Sequence, residues 1–95
     1  MSTFSLIISS PDGDLYRGEA EKLILRGTEG ELAVMAGHVP FVTAVKKGRC
    51  VVEDGMGSRK EGLIESGLLT VDREKTTVLT SAIHWTACGK NSGNG

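Results

Sequence analysis

Short runs of alternating apolar and polar residues, broken by glycine, proline or charged clusters, make up almost the whole chain. Phe4, Leu6 and Ile8 alternate with polar or outward positions, the period-2 pattern of a half-buried strand. Pro11-Asp12-Gly13-Asp14 follows as a turn, because proline presets φ and glycine permits φ > 0. Leu15-Tyr16-Arg17 predicts a brief strand. From Glu21 to Arg26 the alternation returns, with Leu23 and Leu25 on one side. Gly27-Thr28-Glu29-Gly30 predicts a loop, Leu32 to Met35 a short strand, and Ala36 to Pro40 a second loop. Phe41 to Val45 resumes strand character. Arg49 to Asp54 and Ser58 to Ile64 flank Asp54-Gly55-Met56-Gly57, which predicts a hairpin. Leu68 to Val71 and Thr76 to Ile83 flank a second hairpin at Asp72 to Lys75. No stretch carries a convincing 3.6-residue period, so helix is expected to be absent or limited to a turn.

Many short strands with regular turn signals predict an all-β fold, a sandwich or barrel. The 95 residues suffice for one domain with one modest core. The four aromatics are Phe4, Tyr16, Phe41 and Trp85, so that core must be built from Leu, Ile and Val. The last stretch, Gly89 to Gly95, has no apolar residue and predicts a disordered tail. The expected division is a sandwich over 1–85 and a polar tail over 86–95.

Charge narrows the partners. Eleven basic and twelve acidic residues give a net charge of −1. Basic doublets occur only at Lys46-Lys47 and Arg59-Lys60. Nucleic acid is therefore not an expected partner, since phosphate binding needs a concentrated basic patch. Insertion into lipid is not expected either. No apolar run approaches the ~20 residues of a spanning helix, and the first residues do not read as a secretory signal. The chain reads as cytosolic.

Candidate chemistry is sparse. His38 and His84 have no ligand-spaced companions, so no metal site is expected. Cys50 alternates with Val52 and reads as a buried, inert thiol, and no local signature supports a nucleophile pair of Cys50 with His38. Glu29 and Glu31 flank Gly30 near a loop-to-strand junction, where two acids are most simply solvated. The Gly27–Glu31 loop is acidic and precedes a strand, which argues against a phosphate cradle. The Gly37-His38-Val39-Pro40 loop suits a plain turn or, on a rigid scaffold, a partner contact.

Two adjacent segments carry a resemblance. Gly27-Thr28-Glu29-Gly30-Glu31-Leu32-Ala33-Val34, followed by Ala36-Gly37-His38-Val39-Pro40-Phe41-Val42-Thr43-Ala44-Val45, resembles the epsilon subunit of F-type ATP synthases. Ile8 to Gly13, Ile64 to Val71 and Lys75 to Thr80 are similar to other segments of that family, in the same order. Ala33, Ala36, Ser66 and Ser81 depart from residues usual there. The family usually carries a helical hairpin after its sandwich, and here a polar tail follows.

The resemblance implies a flattened β-sandwich of about eight to ten short strands. It implies a non-catalytic central-stalk subunit that links the gamma subunit to the polar loops of the membrane c-ring and so couples ion flow to ATP synthesis. Residue by residue, Glu29, Gly30, Glu31 and His38 match positions that face the ring, and Met35, Phe41, Val42 and Thr43 are assigned to the gamma side. No cofactor and no ATP binding are implied, because the residues of the hairpin are not matched. The implied location is peripheral, on the cytoplasmic side of a bacterial membrane.

Overall fold

A computed structural model describes residues 3–37 and 39–90, with side chains described for 3–37 and 39–86. The described residues form ten strands. They are β1 (Phe4–Ser10), β2 (Gly13–Ala20), β3 (Lys22–Gly27), β4 (Gly30–Met35) and β5 (Phe41–Val45), then β6 (Gly48–Glu53), β7 (Ser58–Ile64), β8 (Gly67–Val71), β9 (Lys75–Thr80) and β10 (Ile83–Lys90). No helix is found among these residues. Two five-stranded sheets result, ordered β2-β1-β9-β8-β5 and β10-β7-β6-β3-β4. All pairings are antiparallel except β1 with β9, where Ser5–Ser9 run alongside Lys75–Leu79 in the same direction.

The sheets face each other across an aliphatic core, as the scarcity of aromatics requires. Leu6 and Ile8 of β1, Leu23 and Leu25 of β3, Ile64, Leu69 and Val78 are fully buried there. Alternation along each strand places these side chains on the inner faces. The four aromatics pack against the margins of this core. Cys50 is buried, as its alternation with Val52 predicts.

Three strands differ from the sequence expectation. β2 is eight residues long and not a brief run. Its outward positions carry Asp14, Arg17 and Glu19, which mute the apolar signal but suit a sheet edge. The expected strand over Thr76 to Ile83 is two strands, divided by Ser81 and Ala82. Finally, β10 continues to Lys90, past the expected boundary at 85. Its second half extends the pairing with β7 beyond a bulge at Trp85–Ala87. The remainder of the expected tail, 91–95, lies outside the described residues.

Turn chemistry holds the hairpins. The carboxylate of Asp54 accepts hydrogen bonds from the backbone N–H of Met56 (2.7 Å) and Ser58 (3.1 Å). Gly55 and Gly57 supply the positive φ values, 83° and 88°, that this tight turn needs. The open edge between β2 and β10 is closed by side chains. Tyr16 and Trp85 stand with ring centroids 6.3 Å apart at 57°. The Lys60 ammonium lies 4.6 Å from the Trp85 centroid and 5.6 Å from that of Tyr16, a cation–π arrangement.

Candidate functional site: the β3–β4 turn and the two outer faces

β3 and β4 form a hairpin whose register pairs Arg26 with Glu31 and Gly27 with Gly30. Thr28 and Glu29 make the two-residue tip, and Gly30 takes φ 122°. This left-handed position lets the chain reverse while leaving Glu29 and Glu31 exposed. Gly27 is buried, and a Cβ there would stand 2.7 Å from the Leu32 side chain. The tip is thus set by glycines and projects two carboxylates. Beside it lies a shallow open depression lined by the tip together with Phe41 and Thr43 of β5.

The Glu31 carboxylate does not stand alone. Arg49 Nη1 lies 3.8 Å from Glu31 Oε2, while Arg49 Nε lies 3.5 Å from Glu61 Oε1. Arg59 Nη2 closes on Glu61 at 3.0 Å. These side chains lie on the outer face of the second sheet.

His38 lies outside the described residues. Its neighbours Gly37 and Val39 stand in the connection that follows Met35, at the far end of β4 from Glu29–Glu31. A six-residue strand spans roughly 17–20 Å at about 3.3 Å per residue. The turn acids and the Gly37–Val39 loop therefore occupy opposite ends of the sandwich. A surface that includes both must run along the edge strand β4.

The four residues assigned to the gamma side divide as well. Val42 points outward from the first sheet and is 62 % exposed. Met35 is exposed on the outer side of the second sheet. Phe41 and Thr43 are half-buried and alternate with Val42, so they face the gap between the sheets.

The sequence reading passed over the residues that share the face of Val42. Register aligns Val42, Thr70, Thr77 and Ile7 in one row across the first sheet. Ala44, Leu68, Leu79 and Ser9 form the next row. Leu68 is 41 % and Leu79 49 % exposed. The two rows make a contiguous apolar face with threonines between the aliphatic side chains. No sequence signal marks it, because Val42, Leu68 and Leu79 become neighbours only through the order of strands in the sheet.

Among the described residues no three His, Cys, Asp or Glu side chains converge as metal ligands. Burial pushes the Cys50 thiol up to about 12, which keeps it from acting as a thiolate. No helix among the described residues is long and apolar enough to cross a membrane.

Comparison with known proteins agrees with this architecture. The family model of the ATP synthase Delta/Epsilon chain β-sandwich domain matches residues 3–86. The ATP synthase epsilon chain of Caldicellulosiruptor saccharolyticus is 32 % identical over 85 residues, covering 90 % of this chain and 61 % of that protein. The sodium-ion-specific ATP synthase epsilon chain of Acetobacterium woodii is 35 % identical over 83 residues, covering 87 % and 62 %. The chain thus spans about three-fifths of the length of these curated relatives. In fold it is similar to a chain in the mitochondrial ATP synthase structure of Euglena gracilis, OSCP/F1/c-ring. The TM-score is 0.82 at 22 % identity, covering 90 % of this chain and 54 % of that one. A chain in the central stalk/c-ring structure of Tetrahymena thermophila ATP synthase matches with TM-score 0.71 at 10 % identity, covering 86 % and 66 %. The collinear motifs, the ten-strand sandwich and the family match lead to one conclusion: the chain belongs to the ATP synthase delta/epsilon family and comprises its β-sandwich domain.

Proposed function

We infer that this chain is the epsilon-type subunit of an F-type ATP synthase rotor. It is a non-catalytic link that holds the gamma subunit to the polar loops of the c-ring, so that ion flow and ATP synthesis stay coupled. The observation that carries this reading is the family membership of residues 3–86. Two features of the surface support it. The apolar rows on the first sheet, Val42, Leu68, Leu79 and Ile7, suit a dry contact with another folded subunit. The β3–β4 tip suits a polar contact, since Glu29 and Glu31 are exposed carboxylates on a short, glycine-set turn.

In this arrangement gamma packs on the first sheet's outer face and the neighbouring β5 edge. The ring loops meet Glu29, Gly30 and Glu31, and His38 extends that contact along β4. Exposed ion pairs are worth about 0–1 kcal/mol each. Apolar burial contributes about 25 cal/mol per Å². The gamma face therefore supplies most of the affinity, and the ring contact supplies register. The site of action is the membrane surface, peripheral, on the side that bears gamma, which in a bacterium is the cytoplasmic side.

The test is direct binding of purified chain to the gamma subunit of the same organism, by calorimetry or co-elution. One-to-one, sub-micromolar binding supports the rotor reading. No binding, with both proteins folded, overturns it and leaves a shared fold serving a different partner.

A further inference from the structure

The outer face of the second sheet is crossed by a relay of charges, Glu31–Arg49–Glu61–Arg59, that runs from β4 over β3 to β6 and β7. Arg49 is its second member, with Glu31 on one side of its guanidinium and Glu61 on the other. We propose that Arg49 is a positioning residue: it fixes the direction of the Glu31 carboxylate at the ring-facing turn, and Glu61 and Arg59 anchor it from behind. This rests on the reading of Glu31 as a ring contact.

Three observations carry it. Among the described residues Arg49 is the one cation within 4 Å of the Glu31 carboxylate. The nearer candidate in register is Arg26, opposite Glu31. Its stem instead leans over Gly48, with Cδ 3.1 Å from where a Gly48 Cβ would stand. The absence of a side chain at Gly48 gives that stem its place, away from β4. Third, Val51 is 0 % exposed although it lies outside the inter-sheet core. It points to the outer face between Glu61 and Ile24 in register. Ile24 and Glu61 flank it across the sheet, and Arg49 and Glu53 flank it along the same face of β6. The planar arginine fork is itself preorganised, so little freedom is lost as it lies between the two carboxylates.

The consequence is directional. Glu31 begins an edge strand, where an unheld carboxylate would sweep a wide arc. Arg49 restricts it to the side of the second sheet, so a ring-loop donor meets it from that side. Preorganisation of this kind raises affinity by reducing what ordering costs on binding.

The measurement is binding of the detergent-solubilised c-ring of the same organism to the complex of this chain with gamma. E31Q is expected to weaken binding. R49Q is expected to weaken it about two- to threefold, the scale of an exposed pair, while R49K retains most of it. In the E31Q background, R49Q is expected to add nothing, because its action passes through Glu31. Thermal unfolding of each variant establishes that the sandwich is intact. If E31Q weakens binding and R49Q leaves it unchanged or strengthens it, the positioning role is overturned and the ring contact stands. If R49Q weakens binding equally with and without the Glu31 carboxylate, Arg49 acts on its own account and the proposal fails. If E31Q has no effect, the ring-contact reading of Glu31 itself fails.

Discussion

Gly67 opens β8 at a point where no side chain fits. A Cβ there would overlap the carbonyl oxygen of Leu79, on the neighbouring strand β9. Backbone cannot yield as a flexible side chain can. Gly67→Ala is therefore expected to cost about 3 kcal/mol, at the upper end of overpacking changes, read as a fall in the urea midpoint. The same corner holds Thr80, buried, whose hydroxyl donates to the Glu65 carbonyl at 2.9 Å. Cys50 offers a second residue-scale expectation. Burial holds its thiol in the neutral form up to about pH 12. The unfolded thiol ionises near its ordinary value of about 8.5. The contribution of the neutral buried thiol is thus complete below that value and declines as pH rises towards 12. In a Cys88→Ser background, native protein at pH 8 is expected to resist a thiol reagent that labels urea-unfolded protein rapidly. Prompt labelling under native conditions would contradict the burial.

At the scale of elements, most strands were legible because glycine and proline interrupt them at places where the chain must turn. The Asp72–Glu74 turn lacks them and was still legible from its run of charges, but at one other such turn the reading failed. Thr80-Ser81-Ala82 joins β9 to β10 without glycine or proline, so two strands read as one. β2 was understated for a related reason: its outward charges belong to a sheet edge. The trio that closes the edge between β2 and β10 was not legible as a group, since Tyr16, Lys60 and Trp85 are far apart in sequence and meet only when two sheets stack. Burial, followed by the negative charges of Asp54 and Glu19, pushes the Tyr16 phenol up, in keeping with its half-buried place at that edge. Lys60→Met keeps a long apolar stem but removes the charge over the rings. It is expected to cost about 0.5–1 kcal/mol and to change the fluorescence of Trp85, the sole tryptophan. An unchanged denaturation midpoint would show that the ammonium contributes nothing there.

At the scale of the whole molecule, the two outer faces differ in kind. One carries aliphatic rows and the other a relay of ion pairs. Leu79→Lys sits in the middle of the aliphatic face and outside the core, so stability should change by no more than about 0.5 kcal/mol. If gamma docks there, its affinity should fall at least about tenfold, since a charge would be buried without a partner. Calorimetric titration with gamma decides it, and unchanged affinity would place gamma elsewhere on the sandwich. The β3–β4 tip was legible residue by residue through its glycine-acid motif. The aliphatic face was not, because it is assembled from β1, β5, β8 and β9, and only strand register reveals which outward residues are neighbours. The sequence reading also grouped His38 with Glu29–Glu31. Their loops are separated by the length of β4, a distance that adjacency in a motif conceals.

The parallel pairing of β1 with β9 has a consequence for biosynthesis. Ser5–Ser9 leave the ribosome long before their partner Lys75–Leu79, which lies far along the chain. Until then β1 has only β2 beside it, and a lone two-stranded hairpin is marginally stable in water. The first sheet is therefore completed only after β9 has been made. Closing that long loop costs entropy before any contact repays it, the situation in which folding is slow. Ile7 and its apolar neighbours stay open during that interval, so the nascent chain is most prone to aggregate before β9 emerges.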